Sequence, residues 1–233
     1  MKSRSLVQKQ LSRSKIELFL ECPRCFYDDL VRGIGRPGSP PYTLNNAVDT
    51  LLKREFDELR KSGAPHRLFR EAGLDFIPFA HPDLDKWRTN FTGVRWTDPG
   101  TGWTLFGAID DVWVTPTGSV VVADYKATAR QTEVTAANIY DSYKRQVEVY
   151  QFLLEMQGLN VEPRAWFYYC NGVSAGRNFE GVLSFRETLL PYDGNRDWVP
   201  GTFREAVTLA TAGLRPPAAD GCKWCCYVEE RGA

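Results

Sequence analysis

The chain has 233 residues, 29 basic and 29 acidic side chains for a formal net charge of +0, and 43% hydrophobic content including seven Trp, ten Tyr and thirteen Phe. This composition excludes a disordered or fibrous chain, and the length allows one sizeable core, so a single domain over residues 1–233 is expected. The neutral balance excludes a general electrostatic attraction for polyanions, leaving only local basic patches such as Lys2, Arg4, Lys9, Arg13, Lys15, Arg24, Arg32 and Arg36 to serve phosphates.

In chain order, Ser12 and Ser14 are candidate caps for a short helix carrying Ile16, Leu18, Phe19 and Leu20 on one apolar face. A Gly- and Pro-rich loop over 32–43 precedes a helix predicted from Leu44 to about Arg60. Its Val48, Leu51, Leu52 and Phe56 recur at helical spacing and face the core, with Lys53, Arg54, Glu55, Asp57 and Glu58 on a charged side. Residues 61–90, broken by Gly63, Pro65, Gly73, Pro78 and Pro82, read as loops with short elements and no evident chemistry.

Two strands are predicted over 103–115 and 119–128, joined as a hairpin through Pro116, Thr117 and Gly118. A long amphipathic helix over 138–157 carries Tyr143, Val147, Tyr150 and Leu154, and Gly158 stops it. Strands over 164–170 and 181–189 and a final helix over 203–213 precede a short cysteine-bearing tail. The order predicts an α/β fold with a mixed central sheet flanked by helices. No run reaches the roughly 18 apolar residues of a spanning helix, and no apolar signal-peptide core is present, so a cytoplasmic protein without a membrane partner is expected.

Chemistry concentrates in the hairpin. Alternate strand residues share a face, so Asp124 and Lys126 point one way and Tyr125 the other. A three-residue loop with Gly118 left-handed pairs Thr115 with Ser119 and sets Asp110 opposite Asp124, whereas a two-residue turn sets Asp111 there; spacing alone allows both. Two carboxylates so close call for a cation between them, and oxygen ligation suits Mg2+ or Mn2+. A surface ion-pair ladder is the plainer alternative, but the residues around Asp124 and Lys126 are apolar on both sides.

Taken together, GAIDDVWV, ADYKAT and QVEVY resemble the three successive motifs of the RecB-like branch of the PD-(D/E)XK nuclease superfamily. There a G-x-(I/V)-D strand carries the first acid, a D-x-K strand the second acid and a lysine, and a Q-x-x-x-Y helix follows. The opening SRSKIELFLECPRCFY is similar to the family's Ser-rich helix followed by Cys-Pro-Arg and an aromatic. The resemblance selects Asp110 over Asp111 and implies Asp110, Asp124, Lys126, Gln146 and Tyr150 as catalytic residues. Many members have a His on the helix before the hairpin. Here NNAVDTLLKREFD offers Asp49, an oxygen ligand that would join Asp110 and Asp124 on Mg2+ or Mn2+, with Glu55 in reserve.

The implied fold is a restriction-endonuclease-like core. The implied activity is metal-dependent hydrolysis of DNA phosphodiester bonds by an exonuclease or single-strand-directed nuclease in repair, recombination or defence, with a helicase or recombination factor as a possible partner. A nucleic-acid-binding scaffold that has lost cutting is the alternative, kept open by Asp49.

Cys22 and Cys25 form one C-x-x-C and Cys222 and Cys225 another. Together they supply four sulfur ligands that would join the two ends of the chain through tetrahedral zinc. Similar AddB-type and CRISPR-associated nucleases hold a four-iron cluster with one N-terminal and three C-terminal cysteines, a pattern this chain follows only in part, and both metals stay open. Cys226 is awkwardly placed beside Cys225, and Cys170 reads as a buried thiol.

Overall fold

A computed structural model describes residues 8–38, 40–174 and 178–232. Lys2 and Arg4 of the basic opening lie outside the described residues. The chain begins with β1 (Gln10–Ser12), α1 (Arg13–Glu21) and α2 (Pro23–Val31), then α3 (Thr43–Ser62), α4 (Arg67–Glu71), β2 (Ile77–Pro78) and α5 (Leu84–Trp87). Strands β3 (Val94–Thr97), β4 (Thr104–Gly107), β5 (Asp111–Val114) and β6 (Val120–Thr128) lead to α6 (Asp141–Glu155), β7 (Arg164–Gly172), β8 (Phe185–Asp193), α7 (Trp198–Thr211) and α8 (Lys223–Gly232). Among the described residues no helix is long and apolar enough to cross a membrane.

The chain forms two compact units, one from the described parts of 1–40, 95–107 and 196–233, the other from 41–94 and 108–195. In the first, Ser12 caps α1 by accepting the Lys15 N–H at 3.4 Å. Cys22 ends that helix, and Pro23 at the first position of α2 starts the next, because proline is tolerated where the N–H has no helical partner. A three-stranded sheet runs β1-β4-β3 with β1 and β4 parallel, burying Leu11 and Leu105. α1 and α2 pack on α7. The buried Asp98 accepts two bonds from Arg204, at 2.8 and 3.2 Å, and one from Thr101 N–H at 3.0 Å, which ties the β3–β4 turn to α7.

The second unit is built on a five-stranded mixed sheet, β2-β5-β6-β7-β8, in which β6 and β7 are parallel and joined through α6, and the other pairs are antiparallel. β6 is central and buried over most of its length, hence its run of Val and Ala. Val121, Ala123 and Tyr125 join Leu52 and Phe56 of α3 in an aromatic core with Phe69, Trp113 and Tyr168, the Phe56 and Trp113 rings stacked 5.7 Å apart. Asp124 and Lys126 therefore take the opposite face, where Tyr143 of α6 lies against the lysine.

Three sequence expectations need correction, the first being the strand expected over 181–189, which runs over Phe185–Asp193. The strand predicted over 103–115 is two strands in different sheets, because Ile109 turns its N–H to the Trp87 carbonyl at 3.1 Å and leaves the ladder. The cysteine-bearing tail is a helix, α8, whose buried residue is Cys225.

Asp111 holds the second unit's hairpin from beneath. Its fully buried carboxylate meets Arg60, Arg88 at 2.9 Å, the Tyr125 hydroxyl at 2.6 Å and its neighbour's N–H, that of Val112, at 2.8 Å. Asp111→Ala leaves two nearly buried guanidiniums short of a counter-ion, and a loss of about 3–5 kcal/mol is expected in urea unfolding. A loss under about 1 kcal/mol would count against this role for the network.

Candidate active site and cysteine cluster

The hairpin loop settles the register. Thr115 donates its N–H to the Ser119 carbonyl at 2.9 Å, and Gly118 has φ +86°, a left-handed conformation that strains a residue with a Cβ. The ladder runs from Val114 opposite Val120 to Asp111 opposite Ala123 and ends there, so Asp110 precedes the strand, just outside the last pair. Asp110 Oδ2 accepts the Tyr125 N–H at 3.0 Å, and its carbonyl accepts from Arg88 Nε at 3.1 Å.

Asp124 is fully buried and paired with Lys126. Burial works against the charge on Lys126, but Asp124 and Asp110 outweigh it and hold the pKa above the ordinary lysine value, with a smaller contribution from Tyr150. The ammonium also lies 4.4 Å from the centre of the Tyr143 ring. Gln146 and Tyr150, one turn apart on α6, are buried and joined by a 3.0 Å bond from the amide to the hydroxyl.

From α3, Lys53 reaches between two acids, 2.9 Å from Asp49 Oδ2 and 3.6 Å from Asp110 Oδ1. Asp49, Lys53, Arg88, Asp110, Lys126 and Tyr143 line one open pocket. Asp49, Asp110 and Asp124 offer the oxygen donors that suit a hard divalent cation, but among the described residues their carboxylates do not gather into one ligand group: Asp49 and Asp110 line the pocket and share the charge of Lys53, whereas Asp124 lies buried behind it. Glu55 bonds the buried His66 at 2.9 Å and does not line the pocket.

A family model described as the PD-(D/E)XK nuclease superfamily matches residues 36–229. The chain belongs to that superfamily. No curated protein matches it. The mixed sheets flanked by helices are those of a PD-(D/E)XK domain, and nucleases of this superfamily use divalent metals. The matched span takes in residues of both compact units.

Three side chains lining this pocket escape a sequence reading. Lys53 resembles a solvated helix charge, although its place four residues after Asp49 puts both on one face. Arg88 falls in the segment without motifs and carries no signal. Tyr143 reads as core, yet its ring covers Lys126.

The other group forms in the first unit of this PD-(D/E)XK chain. Among the described residues, Cys22, Cys25, Cys222 and Cys225 bring four potential ligand atoms within 4.8 Å of one another. Each pair spans a helix start, where free N–H groups favour thiolates. Cys25 Sγ lies 3.6 Å from both Cys222 Sγ and Cys225 Sγ, and Cys22 Sγ lies 3.8 Å from Cys225 Sγ. Burial opposes ionisation of Cys222, but bonds from the Cys225 backbone and the neighbouring thiols bring its pKa down to about 6. Arg36 donates to Cys222 Sγ at 3.9 Å and the Ala219 N–H to Cys22 Sγ at 3.4 Å, the donor surroundings that ligating thiolates require. Cys226 is exposed, and Cys170 is buried in β7.

Proposed function

We propose that this chain is a metal-dependent deoxyribonuclease of the RecB-like branch, acting in the cytoplasm as one nuclease domain over 1–233 on DNA ends or single strands, in repair, recombination or defence. The observation that carries the reading is that Lys126 is paired with Asp124 and held charged by both Asp124 and Asp110, in a chain of nuclease ancestry. Asp110, Asp124 and Asp49 would hold Mg2+ or Mn2+. When bound, that ion lowers the pKa of a water and offsets charge on the phosphoryl group. Lys126, kept charged by its acidic neighbours, orients the attacking water or meets the developing negative charge. Gln146 and Tyr150, bonded to each other on α6, help to position the DNA strand near the metal.

The test is incubation with end-labelled single- and double-stranded DNA and RNA, with free or blocked ends, in Mg2+ or Mn2+. Shortening of DNA is the expected result. Protein that binds DNA yet leaves every substrate whole is instead a scaffold of the same fold.

Lys53 has a separate consequence. Its ammonium occupies the space between Asp49 and Asp110 that a divalent ion must enter. Lys53→Met should therefore tighten Mn2+ binding in the absence of DNA by about tenfold, the size of one screened charge contact. Calorimetric titration reads this directly, and unchanged or weaker binding would refute it.

For the cysteines we infer one tetrahedral zinc rather than a four-iron cluster. A tetrahedron with metal–sulfur bonds of about 2.3 Å has sulfurs about 3.8 Å apart. The separations of 3.6 and 3.8 Å support that size, whereas a cubane must fit its irons among the sulfurs and needs them much farther apart.

A further inference from the structure

We infer that Tyr140 and Arg130 form a stacking platform for an unpaired base, which directs single-stranded DNA to the pocket; this rests on the nuclease reading above. Tyr143 lines the pocket with the Lys126 ammonium over its ring. The Tyr140 ring meets Tyr143 edge to face, centroids 5.4 Å apart and planes at 80°. The Arg130 guanidinium lies over Tyr140, 5.0 Å from its centre. Lys126, Tyr143, Tyr140 and Arg130 thus make a continuous path of cations and rings from the acids to the rim.

The far end of this path faces water. Tyr140 is 53% exposed, so part of its ring is open to a partner from solution. It is also held still. The Asn171 side chain accepts the Arg130 N–H at 2.8 Å and donates to the Arg130 carbonyl at 3.0 Å, which fixes the backbone beneath the guanidinium. Tyr140 itself stands at the N-cap of α6, anchored by the helix it begins. A platform ordered before binding loses little conformational freedom when it is used.

The chemistry selects the occupant. Bases in a duplex are stacked on one another and present no free face, whereas an unpaired base stacks readily on an aromatic ring or a guanidinium plane. The arginine adds attraction for the adjoining phosphate. A single strand resting here lies beside Lys126 and the acids.

Binding without metal separates this inference from the cutting reaction. Full-length protein in EDTA is titrated against a fluorescent oligothymidylate strand and against its duplex, with anisotropy as the readout. Tyr140→Ala should weaken single-strand binding about tenfold and duplex binding less than about twofold, with Tyr140→Phe close to wild type. A 2-aminopurine base in the single strand should be quenched by wild type and Tyr140→Phe but not by Tyr140→Ala, a signature that a merely structural tyrosine would not produce. Equal losses on both substrates, no loss on either, or no DNA binding at all overturns the platform. Discrimination that persists in a protein that never cuts sustains the platform and removes the nuclease reading instead.

Discussion

Asp124→Asn is expected to lower the rate of the proposed DNA cutting by at least about a thousandfold, about 4 kcal/mol of transition-state stabilisation, and to leave the fold in place. The carboxylate is fully buried and paired with Lys126, so the change removes both a candidate ligand and a principal partner of that ammonium. Asparagine keeps the shape, and Asp110 remains to hold Lys126 charged, which is why collapse is not expected. Lys126→Met should lose a similar amount. Asp111→Ala provides the contrast: it lowers stability, while the rate per folded molecule stays within about tenfold of wild type, because the Asp111 carboxylate is fully buried among Arg60, Arg88 and Tyr125 and does not itself line the pocket. Initial rates on a labelled oligonucleotide, beside circular dichroism of each variant, check this. Wild-type cutting by Asp124→Asn, or a thousandfold loss per folded molecule in Asp111→Ala, would reverse the assignment of the two faces.

That contrast marks what the hairpin discloses as a string of residues. A buried strand with two charges among Val and Ala announces a site, since charge is taken out of water only for a reason. The loop length was open because Thr117 and Gly118 alone also make a turn. What separates Asp110 from Asp111 in space is the pair Arg60 and Arg88, each distant in sequence, which claim Asp111 for the core. No local pattern encodes such a contact. The break between β4 and β5 had only a weak local signal, Gly107 at the end of β4, and the interruption is fixed by Trp87, which takes the Ile109 N–H. α8 was missed for a different reason. Trp224, Tyr227 and Val228 do stand at helical spacing, but the run is only ten residues long, the three stay exposed, and the anchor of the helix is a cysteine.

Cys225→Ser removes that anchor, and the protein is expected to lose its zinc, from about one ion per chain to almost none, and to melt at least about 10 °C lower. Structural zinc contributes roughly 10–16 kcal/mol in zinc-finger peptides, as much as the whole stability of an ordinary domain of about 5–15 kcal/mol. Only part of that needs to be lost here, because α1, α2 and α7 still pack through Ile16, Phe26 and Phe203. A few kcal/mol at about 2–4 °C each gives the shift. α8 should respond most, since Cys225 is its buried residue and the remaining contacts are exposed ion pairs such as Arg24 with Glu229. Amide exchange should therefore quicken over 223–232 before it does elsewhere in the first unit. Cys226→Ser, at an exposed thiol one residue away, should keep both the zinc and the melting temperature. Brown protein carrying iron would replace the zinc assignment with a cluster, and unaltered metal content in Cys225→Ser would remove the clip altogether. The strongest form of the expectation is the asymmetry: one sulfur beside another is indispensable while its neighbour is not, because only Cys225 is turned to within 3.6–3.8 Å of Cys22 and Cys25.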